Sequence, residues 1–242
     1  MSYFAGFPFI NYKFGDEPSD TVFTDIALYV DIIDQVKDNV NFYTAYNIID
    51  GERPDTLSQK LYGSPDLYWT FFLMNDNIRE YGWPLTEQQL LEKVQKDAPH
   101  ITLTTTNNIA STFKVGQTVT GVVSTASAVI VAKRLDFGQI IVSPLNSFSF
   151  IAGEAVNSVI GATTETITIS GRVEEYNSIH HYEDANGYHI DIDPFTGTVG
   201  NNVPITVYDY YIRSNDDLKN IRAIKPDAVN GIYRAFKDAL GT

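Results

Sequence analysis

The sequence predicts an α+β chain: a strand-helix-helix core, a small all-β module inserted after it, and a C-terminal pair of helices. Three observations carry that prediction. Apolar residues between Pro54 and Met74 recur at helical spacing behind a short strand-like run. At Ile101 the composition turns to Thr, Val, Ser and Gly with strand-like alternation, and a repeat lies inside it. From Ser214 onward the apolar residues return to a period near 3.6. The segments expected from these shifts are an extended arm (1–21), a core with flanking strands and a helix (22–100), the β-module with two internal repeats (101–173), and a C-terminal segment ending in two helices (174–242).

Residues 1–20 are rich in aromatics, Phe4, Phe7, Phe9 and Tyr12 among them, but Gly6 and Pro8 break the run. Such a stretch does not fold alone; it lies against its own domain or against a neighbour. The lack of a basic leader argues against a signal peptide. In Val22–Ile33 the even positions Val22, Ile26, Leu28, Val30 and Ile32 favour a strand, although Ile26, Tyr29, Ile33 and Val36 also make a helical stripe. Read as a strand, it turns over Val36–Asn41 into Phe42–Ile49 to form a hairpin.

Two helices follow the turn at Asp50-Gly51. Pro54 suits an N1 position, Leu57 and Leu61 share a face, and Gly63 is placed to close the helix in the left-handed region. Ser64 with Pro65 behind it starts a second helix carrying Leu67, Phe71 and Met74 on one side, with Tyr68, Trp69 and Phe72 widening the stripe. Trp69 reads more simply as core than as an interface anchor, and Trp83 suits either role. Thr86 and Gln89 stand in capping-box relation ahead of a helix to Asp97, which Pro99 stops.

The run Arg53-Pro54, Leu57, Leu61-Tyr62-Gly63, Pro65, Leu67-Tyr68-Trp69, Asn75-Asp76-Asn77 and Tyr81-Gly82-Trp83 resembles a LysM module. It is more similar to a family containing a LysM-like core, the baseplate wedge proteins of contractile-tailed bacteriophages. It departs from glycan-binding LysM modules after Asn77, where an aromatic turn stands in place of a second strand. The resemblance implies a non-catalytic structural subunit of the virion, assembled in the host cytoplasm. Such a subunit binds neighbouring wedge and hub proteins in several copies and holds wedges together around the hub. A LysM-type protein binding cell-wall glycan is the alternative it leaves open.

Within the β-module, the stretch from Phe113 aligns with the stretch from Phe150, placing Gly116 over Gly153, Val119 over Val156 and Val122 over Val159. Each copy reads as strand, turn, strand, and the pair is expected to close as a small sandwich or barrel. Residues 174–213 are aromatic and acidic, with a hairpin signal at Asn186-Gly187. The first C-terminal helix is expected from Ser214 with Leu218, Ile221 and Ile224 on one face. The second is expected from Pro226 with Val229, Ile232, Tyr233, Phe236 and Leu240 as its stripe. The run from Asn220 to Pro226 also resembles the wedge family. Candidate partner-contact residues are Phe4, Phe7, Phe9, Tyr12, Tyr68, Phe72 and Trp83 at the front of the chain, and Leu218, Ile221, Ile224, Ile232, Tyr233 and Phe236 at its end.

A formal net charge of −13 without Lys/Arg clusters argues against nucleic-acid binding, and no apolar run reaches membrane-spanning length. The absence of cysteine excludes disulfides and thiolate metal sites. His180, His181, Glu183, Asp184, His189, Asp191 and Asp193 hold ligand chemistry. Strand geometry, however, is expected to send His180 and His181 to opposite faces, so a polar hairpin is the reading and no metal or cofactor is assigned. There is no P-loop, dinucleotide fingerprint, Gly-x-Ser-x-Gly or lysozyme-like carboxylate pair, and no catalytic residue is assigned.

Overall fold

The computed structural model describes residues 9–13, 15, 20–24, 36–37, 39–193 and 197–239. The chain divides into two compact units, residues 1–87 with 214–242, and residues 88–213. The second is an insertion in the first.

In the first unit, β1 (Phe9–Tyr12) and β2 (Thr21–Thr24) form an antiparallel ribbon with Phe9 opposite Thr24 and Tyr12 opposite Thr21. The expected strand from Val22 is therefore present over its described part, but its partner is β1, not the segment after the Val36–Asn41 turn; residues 25–35 lie outside the described residues. Strand β3 (Tyr43–Asn47) instead pairs antiparallel with β13 (Asn220–Ile224), Ile221 facing Tyr46.

Helix α1 (Pro54–Tyr62) has Pro54 at its first position and ends on Gly63 at φ +70°, whose N–H reaches Gln59 O at 3.0 Å. Ser64 caps only a 3₁₀ turn, Pro65–Leu67; the helical chain resumes as α2 (Trp69–Met74) and α3 (Asp76–Tyr81). Leu67, Phe71 and Met74 are all buried, as their spacing predicts. Two apolar clusters result. One gathers Ile48, Leu57, Phe71, Ile78, Ile221 and Ala223. The other gathers Leu67, Trp69 and Met74 with Ile224, Val229 and Ile232.

The C-terminal segment corrects the expected helical pair. Helix α5 (Val207–Lys219) starts earlier, and residues 220–224, expected as its last turns, are strand β13 before α6 (Pro226–Ala239). A stripe at Leu218, Ile221 and Ile224 fits a helix, but pairing with β3 buries Ile221, Ala223 and Ile224 while satisfying the backbone on β3. The missed helix start is a capping box at Thr206 and Asp209: the Asp209 N–H donates to Thr206 Oγ1 at 3.1 Å, and the Asp209 carboxylate accepts from Thr206 N at 3.0 Å.

The second unit begins within α4 (Glu87–Asp97) and holds a closed six-stranded barrel in the order β4-β7-β6-β5-β8-β9, formed by β4 (Ile101–Thr105), β5 (Thr118–Gly121), β6 (Ser127–Arg134), β7 (Gln139–Pro144), β8 (Ala155–Ile160) and β9 (Thr163–Glu174). Exchanging β4 with β7, β5 with β8 and β6 with β9 reproduces the same ring, so the sequence repeat is a three-stranded unit used twice. The copies trade strands: β4 pairs with β9 of the second copy, and β7 with β6 of the first. Both copies enter their hairpin through the same turn. Phe113 and Phe150 are buried, and Gly116 and Gly153 sit at φ +89° and +88°. The side chains of Gln117 and Glu154 accept from Lys114 N and Ile151 N at 2.8 and 2.7 Å. Ladder irregularities also correspond, at Val131 in β6 and Ser170 in β9. Behind the barrel, β10 (Ile179–Glu183) lies between β11 (His189–Ile190) and β12 (Val203–Thr206), with Gly187 at φ +80° in the β10–β11 turn.

Candidate subunit-contact surfaces

Most of the residues that carry the family-like run build the first unit. Leu57, Leu67 and Trp69 are buried, while Leu61 and Tyr62 pack at the edge of the apolar clusters. Tyr62 stacks on Phe71 with ring centroids 5.6 Å apart, and burial pushes its phenol up to about 12. Arg53 opens α1: its N–H donates to Thr56 Oγ1 at 3.1 Å, and its exposed guanidinium pairs with Asp55. Pro65 starts the 3₁₀ turn, Asn77 is half-buried in α3, and Gly82 ends α3 at φ +93°. Trp83 is half-buried, tilted against Phe71 and Phe72, and its indole N–H donates to Glu52 O at 2.7 Å, tying the Asp50–Glu52 turn to the helices.

Asn75 has the most consequential geometry of the run. Its buried carboxamide donates to Phe71 O at 2.8 Å and Arg222 O at 2.9 Å, and accepts from Arg222 N at 2.7 Å. Asn215 forms a second ring of this kind with the Leu85 backbone, accepting from Leu85 N at 2.8 Å and donating to Leu85 O at 3.0 Å. Sequence reasoning missed Asn215, since one asparagine on a helix carries no local signal.

The structure separates the candidate contact residues. Ile221, Ile224 and Ile232 are buried in the unit's own core, so they are removed from the contact surface. The amphipathic stripe that suggested them is satisfied by β3 and α2. Leu218 and Tyr233 are half-buried and packed on the same clusters, Tyr233 tilted against Trp69. Phe4, Phe7 and the Phe236 side chain lie outside the described residues. Tyr68 is exposed at the rim of α2, and Phe72 half-buried. The largest apolar exposure among the named residues is on the β1–β2 ribbon, where Phe9 is 73 % and Tyr12 53 % exposed; Val22, opposite Asn11, is 61 % exposed. A two-stranded ribbon is marginal in water without a face to pack on.

In the second unit the histidine-rich hairpin forms a connected cluster. A bulge at His180 cancels the strand alternation, so His180 Nδ1 and His181 Nδ1 lie 2.9 Å apart instead of on opposite faces. His180 stacks flat on Tyr210, centroids 4.4 Å apart, and His181 Nε2 meets Glu183 Oε1 at 3.0 Å, while Arg213 pairs with the same carboxylate. Burial, with His181, Arg134 and His189 nearby, pulls His180 below its ordinary value. Among the described residues no three His, Cys, Asp or Glu side chains are grouped to hold a metal ion. A cavity of about 140 Å³ lies beside Phe137 and Tyr182, below the roughly 300 Å³ where small-molecule pockets begin. Among the described residues no helix is long and apolar enough to cross a membrane.

No curated protein matches the chain. Residues 7–102 match the family model described as Base plate wedge protein 53, a stretch that runs from the ribbon through the motif helices and stops just inside β4. Over that region the chain is similar to the phage baseplate wedge proteins, a likeness that supports a structural role in the tail baseplate and association with other baseplate components.

Proposed function

We propose that the chain acts as a non-catalytic joint that binds neighbouring wedge subunits and holds wedges together around the hub, several copies to a ring. The observation that supports this most directly is the β1–β2 ribbon. It lies within the family-matched region, its strand residues Phe9–Tyr12 and 21–23 are exposed, and it carries Phe9, Ile10, Tyr12, Val22 and Phe23. An apolar ribbon of this kind gains stability when a partner covers it or adds a strand to its edge. Among the described residues, neither buried cluster of the first unit includes a residue from 1–14. The expected result of deleting residues 1–14 is a folded, soluble chain that fails to join wedges, read as wedges that accumulate without closing into baseplates. Normal infectious particles from that truncation would overturn the proposal.

One observation favours a second reading, a LysM-type binder of cell-wall glycan. The second strand that the sequence lacks after Asn77 is supplied by β13, so strand, helices and strand close into one unit. Retention of the purified chain on peptidoglycan, lost on altering residues around α1 and α2, would favour this reading over the joint.

A further inference from the structure

The barrel's two copies provide an internal comparison at equal positions in the fold. The loop after β7 and the loop after β4 correspond residue for residue. The pair Thr105 and Ile169 is equivalent to the pair Val142 and Ile130, and Thr105 precedes Val142 by the same offset that relates Phe113 to Phe150. Three exposed positions differ in kind across this equivalence. Asn108, Ser111 and Lys114 in the first loop stand where the second has Leu145, Phe148 and Ile151, each more than half exposed. The strands on either side need the same burial in both copies, so barrel folding does not account for three solvent-facing apolar side chains in one copy only.

These side chains are held in place by a bonded scaffold. The Glu154 carboxylate, buried against the face of Gly121, accepts from Val123 N at 3.0 Å, Ser124 N at 2.9 Å, Ser124 Oγ at 2.7 Å and Ile151 N at 2.7 Å. It thereby locks the β5–β6 turn to the loop before β8. Asn146 adds bonds to Ser127 N at 3.1 Å and Thr125 O at 3.0 Å. Val122 and Val123, both exposed, complete this end. Residues 121–127 and 143–153 contain no Asp, Glu, Lys, Arg or His. Glu154, the ionised group that directly follows this run, is turned inward and satisfied.

We infer that this end of the barrel, centred on Phe148 and Val123, is a docking surface for another tail subunit whose contacting face is apolar at its centre and neutral or basic overall. A charge-free apolar centre with an aromatic anchor on a pre-ordered loop is the composition of an interface core. A chain of net charge −13 repels its own copies and favours a partner of neutral or opposite sign. The inference goes beyond the joint proposed above and rests only on the chain's being part of the baseplate; it does not involve the ribbon.

The test uses the full chain in assembled tails. A photo-cross-linking phenylalanine analogue is placed at position 148 or, as the internal control, at position 111, and adducts are identified by mass spectrometry. An adduct between position 148 and a different tail protein, without one from position 111, is the expected result. Adducts only within the chain or to a second copy, equal adducts from both positions, or none from 148 would overturn the inference. In a second arm, Phe148→Asp with Ile151→Lys should leave the melting temperature unchanged, because both sites are exposed, and lower incorporation into tails at least about tenfold. Undiminished incorporation would also overturn it. If the truncation of residues 1–14 proves harmless while Phe148 still cross-links, the joint fails and this surface stands.

Discussion

The carboxamide of Asn75 closes a two-bond ring with the backbone of Arg222, donating to its carbonyl at 2.9 Å and accepting from its N–H at 2.7 Å. Asn75 thus does for β13 what a neighbouring strand would do, and it does so from the junction of α2 and α3. Because the whole second unit lies between these residues in sequence, this ring and its counterpart at Asn215 and Leu85 return the chain to the first unit after the insertion.

Replacing Asn75 with Ala should therefore destabilise the first unit by about 1–3 kcal/mol, the cost of leaving buried backbone groups of Arg222 unsatisfied. Both tryptophans, Trp69 and Trp83, belong to this unit, so urea unfolding followed by tryptophan fluorescence reads it selectively. An unshifted fluorescence midpoint would show the ring to be dispensable.

Glu154→Gln should destabilise the second unit by about 1–3 kcal/mol, since one carboxylate oxygen becomes an NH₂ facing donors. Gln117→Glu, at the equivalent place in the other copy, should cost little, because there the side chain accepts chiefly from Lys114 N. Burial raises the Glu154 carboxyl, but its backbone and hydroxyl donors outweigh that and hold it below the usual carboxylate value. Its contribution is thus present above the ordinary carboxylate range and lost as pH falls through the lowered value. Circular dichroism melts at pH 3–7 should show an acid limb that Glu154→Gln flattens.

His180 gives the opposite chemistry with the same direction in pH. Held neutral in the folded state by burial, His181, Arg134 and His189, it titrates below its ordinary 6.5. The unfolded chain therefore takes up the proton first, and stability falls as pH drops below about 6.5. Tyr210 stacks on its ring, and Glu183 and Arg213 lie one residue further along the cluster. His180→Phe keeps the stack and should flatten the stability profile between pH 5 and 7. A parallel profile would show that His180 does not carry that slope.

At the alkaline end, the Tyr62 phenol is raised from 10.0 to about 12 by burial. The unfolded chain loses this proton first, so stability is full below pH 10 and declines as pH rises towards 12. Tryptophan-detected melts of Tyr62→Phe should lack that part of the decline, and an unchanged slope would place it on other tyrosines.

Much of the architecture was legible from residue order. The Pro54 start and Gly63 stop of α1 were visible because capping depends on neighbours a turn away, and the hairpin at Asn186-Gly187 because turn chemistry is local. The β repeat predicted closure, and the six-stranded barrel follows from it. Among the contact candidates, Phe9 and Tyr12 are exposed on the β1–β2 ribbon, whereas Ile221, Ile224 and Ile232 have their apolar faces filled from within. An amphipathic stripe states that a face is covered and not by what. Strand alternation misplaced His180 because one bulged residue reverses the faces beyond it.

Residue order alone settled the elements whose free energy is decided within a few residues: caps, tight turns, helical stripes and the repeat's period. Folding in three dimensions decided what each strand pairs with. Residues 220–224 serve as either helix or strand by pattern, and they become β13 because β3 offers a backbone edge and Asn75 a carboxamide, both far away in the chain. The traded strands of the barrel have the same origin, since a ladder forms between edges brought side by side, and that choice leaves no trace in local periodicity.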